Sequence, residues 1–311
     1  MEPYNPAVCG RPVHTYSIVA RDQESGQLGV AVQSHYFSVG SIVTWAEAGV
    51  GAVATQSFAD PAYGKLGLDL MRAQRTAPDT LAGLVASDSM SAVRQVGMVD
   101  AEGRVAAHTG ALAIAEAGHI LGDGFTVQAN MMLRPTVWPA MAEAYQSTRG
   151  ELVERLLSAL DAAEAEGGDI RGRQSAAILV VAGKNTGRPW ADKLYDLRVD
   201  DAPEPLKEIR RLVSVARAYF HHRRAQSALE RGDSAAMKRE FEVAAQLIGD
   251  NPEMRFWHAI GLLGIDEVED GIAMLREVAA HDRNWITLAL RLRVPLLKAD
   301  PALLERIRKL A

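Results

Sequence analysis

With 311 residues, 48% of them hydrophobic, the chain exceeds one typical domain and has ample material for a buried core. A net charge of -5, with Lys and Arg interspersed among Asp and Glu, gives no global attraction to nucleic acid, and no stretch approaches the roughly 20 apolar residues of a membrane span. Cys9 is the single cysteine and excludes an internal disulfide; with no apolar run in Met1–His14, the expectation is a protein of the reducing cytoplasm.

Residues 1–14 carry Pro3, Pro6, Pro12 and Gly10 and read as an irregular arm. Thr15–Asp22 and Gln27–Ser34, joined by a polar turn containing Gly26, read as an antiparallel hairpin whose first strand opens on a hydroxyl residue. Ser38–Trp45 and Val50–Gln56 are further extended candidates, the second small and apolar enough to be buried on both faces. Helical sequence follows from Asp60-Pro61, and Asp79–Ala86 is a second helix after Pro78. Arg94–Asp100 and Arg104–Thr109 form a second hairpin around Ala101-Glu102-Gly103. Gly110–Asn130 reads as a loop region with one short extended piece, Phe125–Gln128. Pro135–Ser147 and Glu151–Glu166 are helices, the latter with Leu152, Leu156, Leu157 and Leu160 on one face and Gly167-Gly168 as its stop. Ser175–Ala182 is a core strand, and Leu194–Val199 a more exposed last one.

Strand pairs separated by helix pairs do not fit a doubly wound parallel sheet, where single strands and single helices alternate. The order favours two antiparallel sheets between helical layers. Asp200–Pro205 is a polar, Pro-bearing linker, and beyond it no strand signal remains. Ala225, Leu229, Asp233, Phe241, Ala244 and Ala245 recur 34 positions on as Ala259, Leu263, Glu267, Leu275, Val278 and Ala279, the period of tetratricopeptide-type helix pairs. A lone pair of such repeats barely buries its own faces, so contact with another domain or a second copy is expected.

Asp169, Arg171, Arg173, Gln174 and Ser175 make the most polar cluster ahead of any core strand, in a helix-to-strand loop where sites often sit. Arginine forks there suit carboxylate recognition, although a solvated loop ending a helix reads equally well. Thr55-Gln56-Ser57, at the end of a buried strand, either lines a pocket or caps the next loop. His35, His108 and His119 lack metal-ligand spacing, His221-His222 point apart on a helix, and no cofactor fingerprint surrounds Gly118 or Gly122-Asp123-Gly124. Cys9, in a Pro-rich arm, has nothing to tune it as a nucleophile.

Five ordered blocks carry a resemblance: Thr15–Ser34; Trp45–Gln56; Arg94–Asp100; Gly118-His119 with Val127–Met131; and Gly167–Ala177. Over residues 15–200 the chain resembles the DUF1028 family of N-terminal-nucleophile (Ntn) hydrolase-like proteins, and the helical tail, 201–311, resembles an appended domain named for peptidoglycan binding. The resemblance implies an α+β fold, an αββα four-layer sandwich followed by a small all-α domain. It implies hydrolysis of an amide bond in a small amide, peptide or cell-wall-derived fragment, without a cofactor or metal. Thr15 would be the nucleophile and its own α-amine the base, with Asp169 or Ser175 orienting that amine and Asn130 or the Gln174-Ser175 turn stabilising the oxyanion. Arg171, Arg173, Gln174, Thr55, Gln56 and His35 form the expected substrate-binding set. A free Thr15 amine requires cleavage of His14–Thr15. The expected assembly is a homo-oligomer, a dimer first of all, with no nucleic-acid or membrane partner. The alternative is a non-catalytic protein of the same fold that binds a partner or a cell-wall fragment through its helical tail.

Overall fold

The computed structural model describes Val13 and residues 15–249, 251–292 and 300–310. It is an α+β chain that divides into two units at Arg211/Leu212.

The first unit holds ten strands: β1 Thr15–Arg21, β2 Leu28–Ser34, β3 Thr44–Glu47, β4 Gly51–Ser57, β5 Arg94–Asp100, β6 Val105–Thr109, β7 Gly118–Gly122, β8 Phe125–Ala129, β9 Ser175–Val181 and β10 Lys193–Val199. Its helices are α1 Ala62–Arg72, α2 Ala77–Ser87, α3 Val137–Ser147, α4 Leu152–Ala165 and the single turn α5 Pro189–Asp192. A six-stranded sheet runs β10-β9-β2-β1-β8-β7 and a four-stranded sheet β3-β4-β5-β6, with antiparallel neighbours throughout.

The β1–β2 hairpin starts from local chemistry. Asp22 Oδ1 accepts from the Ser25 amide at 2.8 Å, and Gly26, at φ +70, closes the turn with its N–H on the Asp22 carbonyl. That fixes Thr15 opposite Ser34 and Arg21 opposite Leu28. Alternation then sends Val19, Val30, Val32, Ala177 and Leu179 toward Ala52, Ala54 and Val99 of the smaller sheet, making the apolar core between the sheets. The opposite face of β1 and β2 meets α4: Tyr16 donates to Glu164 Oε2 at 2.7 Å, and Leu152 and Leu156 lie over Gly29. Phe125 packs on Tyr145 of α3 with ring centres 4.6 Å apart. On the smaller sheet, α1 and α2 bury Tyr63, Leu68, Met71 and Leu81 against Val53, Val96 and Met98. Thr76 caps α2 by accepting the Asp79 N–H, with Pro78 in the first turn.

Two segments depart from the sequence reading. Ser38–Trp45 is not one extended run: Ser38 is left-handed at φ 55, Val39–Ser41 is a 3-10 turn, and the strand begins at Thr44. Tertiary bonds hold this turn, with the Ser38 hydroxyl on Asp200 Oδ1 at 2.7 Å and the Val39 N–H on Ser175 Oγ at 3.1 Å. Within Gly110–Asn130, Gly118–Gly122 is a strand paired with β8 from Gly118↔Ala129 to Gly122↔Phe125. Its flanking glycines suggest a loop, but pairing supplies the order that its own propensity lacks.

The second unit is all helical beyond its boundary within α6, Pro205–Glu230, continuing through α7 Ser234–Ile248, α8 Pro252–Gly264, α9 Val268–His281, α10 Asn284–Arg291 and α11 Pro301–Arg308. Asp233 and Glu267, 34 positions apart, stand at the N-caps of α7 and α9. Ala225 with Phe241, and Ala259 with Leu275, are buried within successive helix pairs.

Candidate active site

Three hydroxyl residues lie in register across adjacent strands at one end of the larger sheet: Thr15 opposite Ser34, and Ser34 opposite Ser175. All three are buried. Directly paired residues of an antiparallel sheet share a face, and here it is the face toward the smaller sheet. Thr15 Oγ1 donates to the Val13 carbonyl at 2.9 Å. That oxygen also accepts the Ser57 N–H at 2.9 Å, while the Val13 N–H returns to the Ser57 carbonyl at 2.6 Å. A hydroxyl and a backbone amide from different sheets therefore converge on one carbonyl oxygen. Ser57 holds its amide there in a left-handed conformation, φ +67, and its buried hydroxyl has no partner among the described residues.

Behind Thr15 the space between the sheets is polar. The Thr15 carbonyl accepts from the Asn130 N–H at 3.1 Å and from Gln56 Nε2 at 3.2 Å. Gln95 Oε1 accepts from both Gln56 Nε2 (2.7 Å) and Asn130 Nδ2 (2.9 Å). Ser17 donates to Gln56 Oε1 and accepts from Gln128 Nε2, each at 2.6 Å. From Gln95 the chain of bonds runs on through Thr109 Oγ1 (2.9 Å) to His119 Nδ1, 2.8 Å beyond. Burial, reinforced by the charge of His108, holds His119 below the ordinary imidazole range.

Asp169 is buried beside this network: it bridges to Met132, two residues past Asn130, and Ile170 donates to the Met131 carbonyl. Its carboxylate takes the Arg171 guanidinium at 3.0 and 2.7 Å and the His35 N–H at 3.1 Å. The Arg171 fork is thus directed at Asp169. Arg173 reaches Glu204 (2.8 Å) and Glu164 (3.2 Å), and its carbonyl lies 3.3 Å from His35 Nδ1. Gln174 donates its backbone N–H to Ser34 and its side-chain amide to Asp201. The Ser175 hydroxyl donates to the Tyr36 carbonyl and accepts from Val39.

Of the residues singled out from sequence, Thr15, Asn130 and Gln56 meet in one network, and Asp169, Arg171, Arg173 and His35 in an adjoining one. Ser175 joins the hydroxyl row but, like Asp169, makes no hydrogen bond to Thr15 among the described residues. Thr55 faces away, donating to the Asp60 carbonyl at 3.1 Å. Cys9 and the His14 side of the His14–Thr15 bond lie outside the described residues. Among the described residues no group of His, Cys, Asp or Glu could hold a metal ion, and no helix is long and apolar enough to cross a membrane. Ser17, Gln95 and Gln128 were not singled out from sequence; their signal is a polar side chain at an inward position of an otherwise apolar strand.

The profile of a family of unknown function, DUF1028, matches residues 15–209. The crystal structure of a DUF1028 protein from Silicibacter pomeroyi is similar, at 29% sequence identity and a TM-score of 0.58, over 64% of this chain and 88% of that one. No curated protein matches this chain.

Proposed function

The chain belongs to the DUF1028 family, and we propose that it is an Ntn-type hydrolase that cleaves an amide bond in a small amide, peptide or cell-wall-derived fragment, with Thr15 as nucleophile once the residues before it are removed. One observation carries this reading: Thr15 Oγ1 and the Ser57 N–H both point at the Val13 carbonyl oxygen, each at 2.9 Å. Removing the arm takes that oxygen away and leaves a hydroxyl and a fixed amide donor facing the same place, as acyl transfer needs.

In the reaction, the freed Thr15 α-amine, with an ordinary pKa just under about 8, takes the hydroxyl proton. Oγ1 bonds to the substrate carbonyl carbon, and the oxygen, now negative, is held by the Ser57 N–H, with Asn130 as a second donor. Each such donor is worth roughly 3 to 4 kcal/mol. Collapse expels the amine, which takes the proton from the Thr15 ammonium, and leaves an ester on Oγ1. Water, deprotonated by the same α-amine, hydrolyses that ester and restores the hydroxyl. Asp169 and Ser175 orient the amine end, while Gln56 shapes the wall; Thr55, on the opposite face of β4, takes no part. His35, Arg173 and Gln174 hold the far end of the substrate, Gln174 lying next to the hydroxyl row through its N–H on the Ser34 carbonyl, and Arg171 acts there through Asp169, which its fork holds. The same reading takes the sheets and their helix pairs as a four-layer αββα sandwich, and the helical unit as tetratricopeptide-like pairs joining two copies in the cytoplasm.

The test is covalent labelling. Protein beginning at Thr15 is treated with a β-lactone, and the modified peptide is identified by mass spectrometry, beside full-length protein whose intact mass is measured. Thr15 is expected to be acylated when it is the terminal residue and not when residues 1–14 are retained. Equal labelling of the Thr15→Ala variant would remove Thr15 from the role.

A further inference from the structure

The helical unit carries a cleft of its own, lined by residues of α6 and α7. On α6, Phe220, Arg223 and Arg224 share a face at steps of three and four, and Arg231, one residue past the helix with its N–H still on the Ser227 carbonyl, continues it; on α7, Arg239 and Glu240 turn toward it. They line a cleft of about 390 Å³, within the usual size of small-molecule sites.

The charge of this cleft is unlike that of the chain. Four guanidinium groups face one carboxylate in a protein of net charge -5. That carboxylate is already engaged on both oxygens: Glu240 Oε1 lies 2.8 Å from Arg224 Nη2, and Oε2 lies 2.6 Å from His221 Nδ1. Arg223 sits 4.7 Å over the Phe220 ring, and neither it nor Arg231 nor Arg239 has an ion-pair partner among the described residues. Single exposed arginines are ordinary. Three uncompensated ones around a concavity whose only acid is satisfied leave a local field that an anion would neutralise.

We propose that this cleft binds a small ligand bearing two or more linked phosphate-type groups. Planar guanidinium forks match phosphate oxygens two at a time, which a point-charge ammonium does not. Arg223 and Arg231 are eight residues apart, about 12 Å along the helix axis, so a single phosphate cannot reach both ends and a chain of them can.

The probe is inorganic tripolyphosphate, titrated into the full chain by calorimetry at low and physiological salt, with orthophosphate and citrate as comparisons. Tripolyphosphate is expected to bind at least about tenfold tighter than orthophosphate and to weaken as salt rises. The Arg231→Gln/Arg239→Gln pair should lose about tenfold or more in affinity with its far-UV circular dichroism unchanged. The corresponding Lys pair should recover only part of the loss, and Arg276→Gln on α9 should lose nothing. Absence of binding, equal affinity for citrate, or a double variant that binds like the parent would overturn the proposal. So would much tighter binding of a single-stranded oligonucleotide by the same arginines, which would make the ligand a nucleic acid.

Discussion

Ser57 and Gln95 carry the residue-scale consequences. A left-handed Ser pays a steric cost that Gly does not, and the Ser57 hydroxyl is buried with no partner among the described residues. Ser57→Gly should therefore raise stability by about 1 kcal/mol while keeping the amide that pairs with Val13; a lower denaturant midpoint would show that the conformation is not strained. Gln95 is the hub of the inter-sheet network. Gln95→Leu removes the acceptor that the Gln56 and Asn130 amides share and the donor that reaches the Ala129 carbonyl at 2.8 Å, and should cost about 3 kcal/mol or more. Because Gln56→Leu breaks one of the same bonds, the two losses should fall short of additive by about 1 kcal/mol in a double-mutant cycle; strict additivity would mean that the network is not cooperative. Sequence reached part of this constellation. Thr15, Gln56 and Asn130 stood at strand ends where reading by position works, whereas Gln95 has its meaning only from the strand that packs opposite.

Among the elements, hairpins with polar, Gly-bearing turns were legible because turn chemistry and alternation agree, as in β1–β2 and β5–β6. β7 was not, since its order comes from β8, and the Ser38–Ile42 turn was not, since bonds to Asp200 and Ser175 hold it. Long-range pairing also explains Gly97 in the middle of β5, where a glycine is intrinsically poor. A Cβ there would run into the Gln128 carboxamide of the facing sheet, with its Cδ 2.7 Å away. Gly97→Ala should thus displace Gln128 from Ser17, or push the sheets apart, at a cost of about 1 to 3 kcal/mol. The control is Gly83→Ala on α2, where a Cβ meets nothing within 4 Å and helix propensity predicts a gain of up to about 1 kcal/mol. A Gly97→Ala protein as stable as the parent would mean that the sheet spacing is soft.

Over the whole molecule, acid sensitivity should come from imidazoles before carboxylates. Burial is the main cause holding His119, His222 and His258 below the ordinary imidazole range. The folded chain therefore keeps them neutral where the unfolded chain, with imidazoles near 6.5, takes up protons. Unfolded protein binds more protons in that window, so stability rises with pH there and falls as the pH drops below about 6.5, the loss ending once the folded imidazoles also protonate. Carboxylates held low, such as Asp22 and Asp88, add their loss only in the more acidic carboxylate range. His222 isolates the first effect. It is 6% exposed, its Nδ1 is buried without a partner among the described residues, and its ring meets Tyr219, Phe241 and Trp257 edge-on. Glu253 opposes the shift and Arg223 adds to it, both less than burial. Phe fills the same aromatic site without a titrating nitrogen, so His222→Phe should match or exceed the parent at pH 7.5 and lose less stability on going to pH 5.5. Urea unfolding followed by far-UV circular dichroism at the two pH values reads this, and parallel pH dependences for variant and parent would show that His222 binds the same number of protons folded and unfolded.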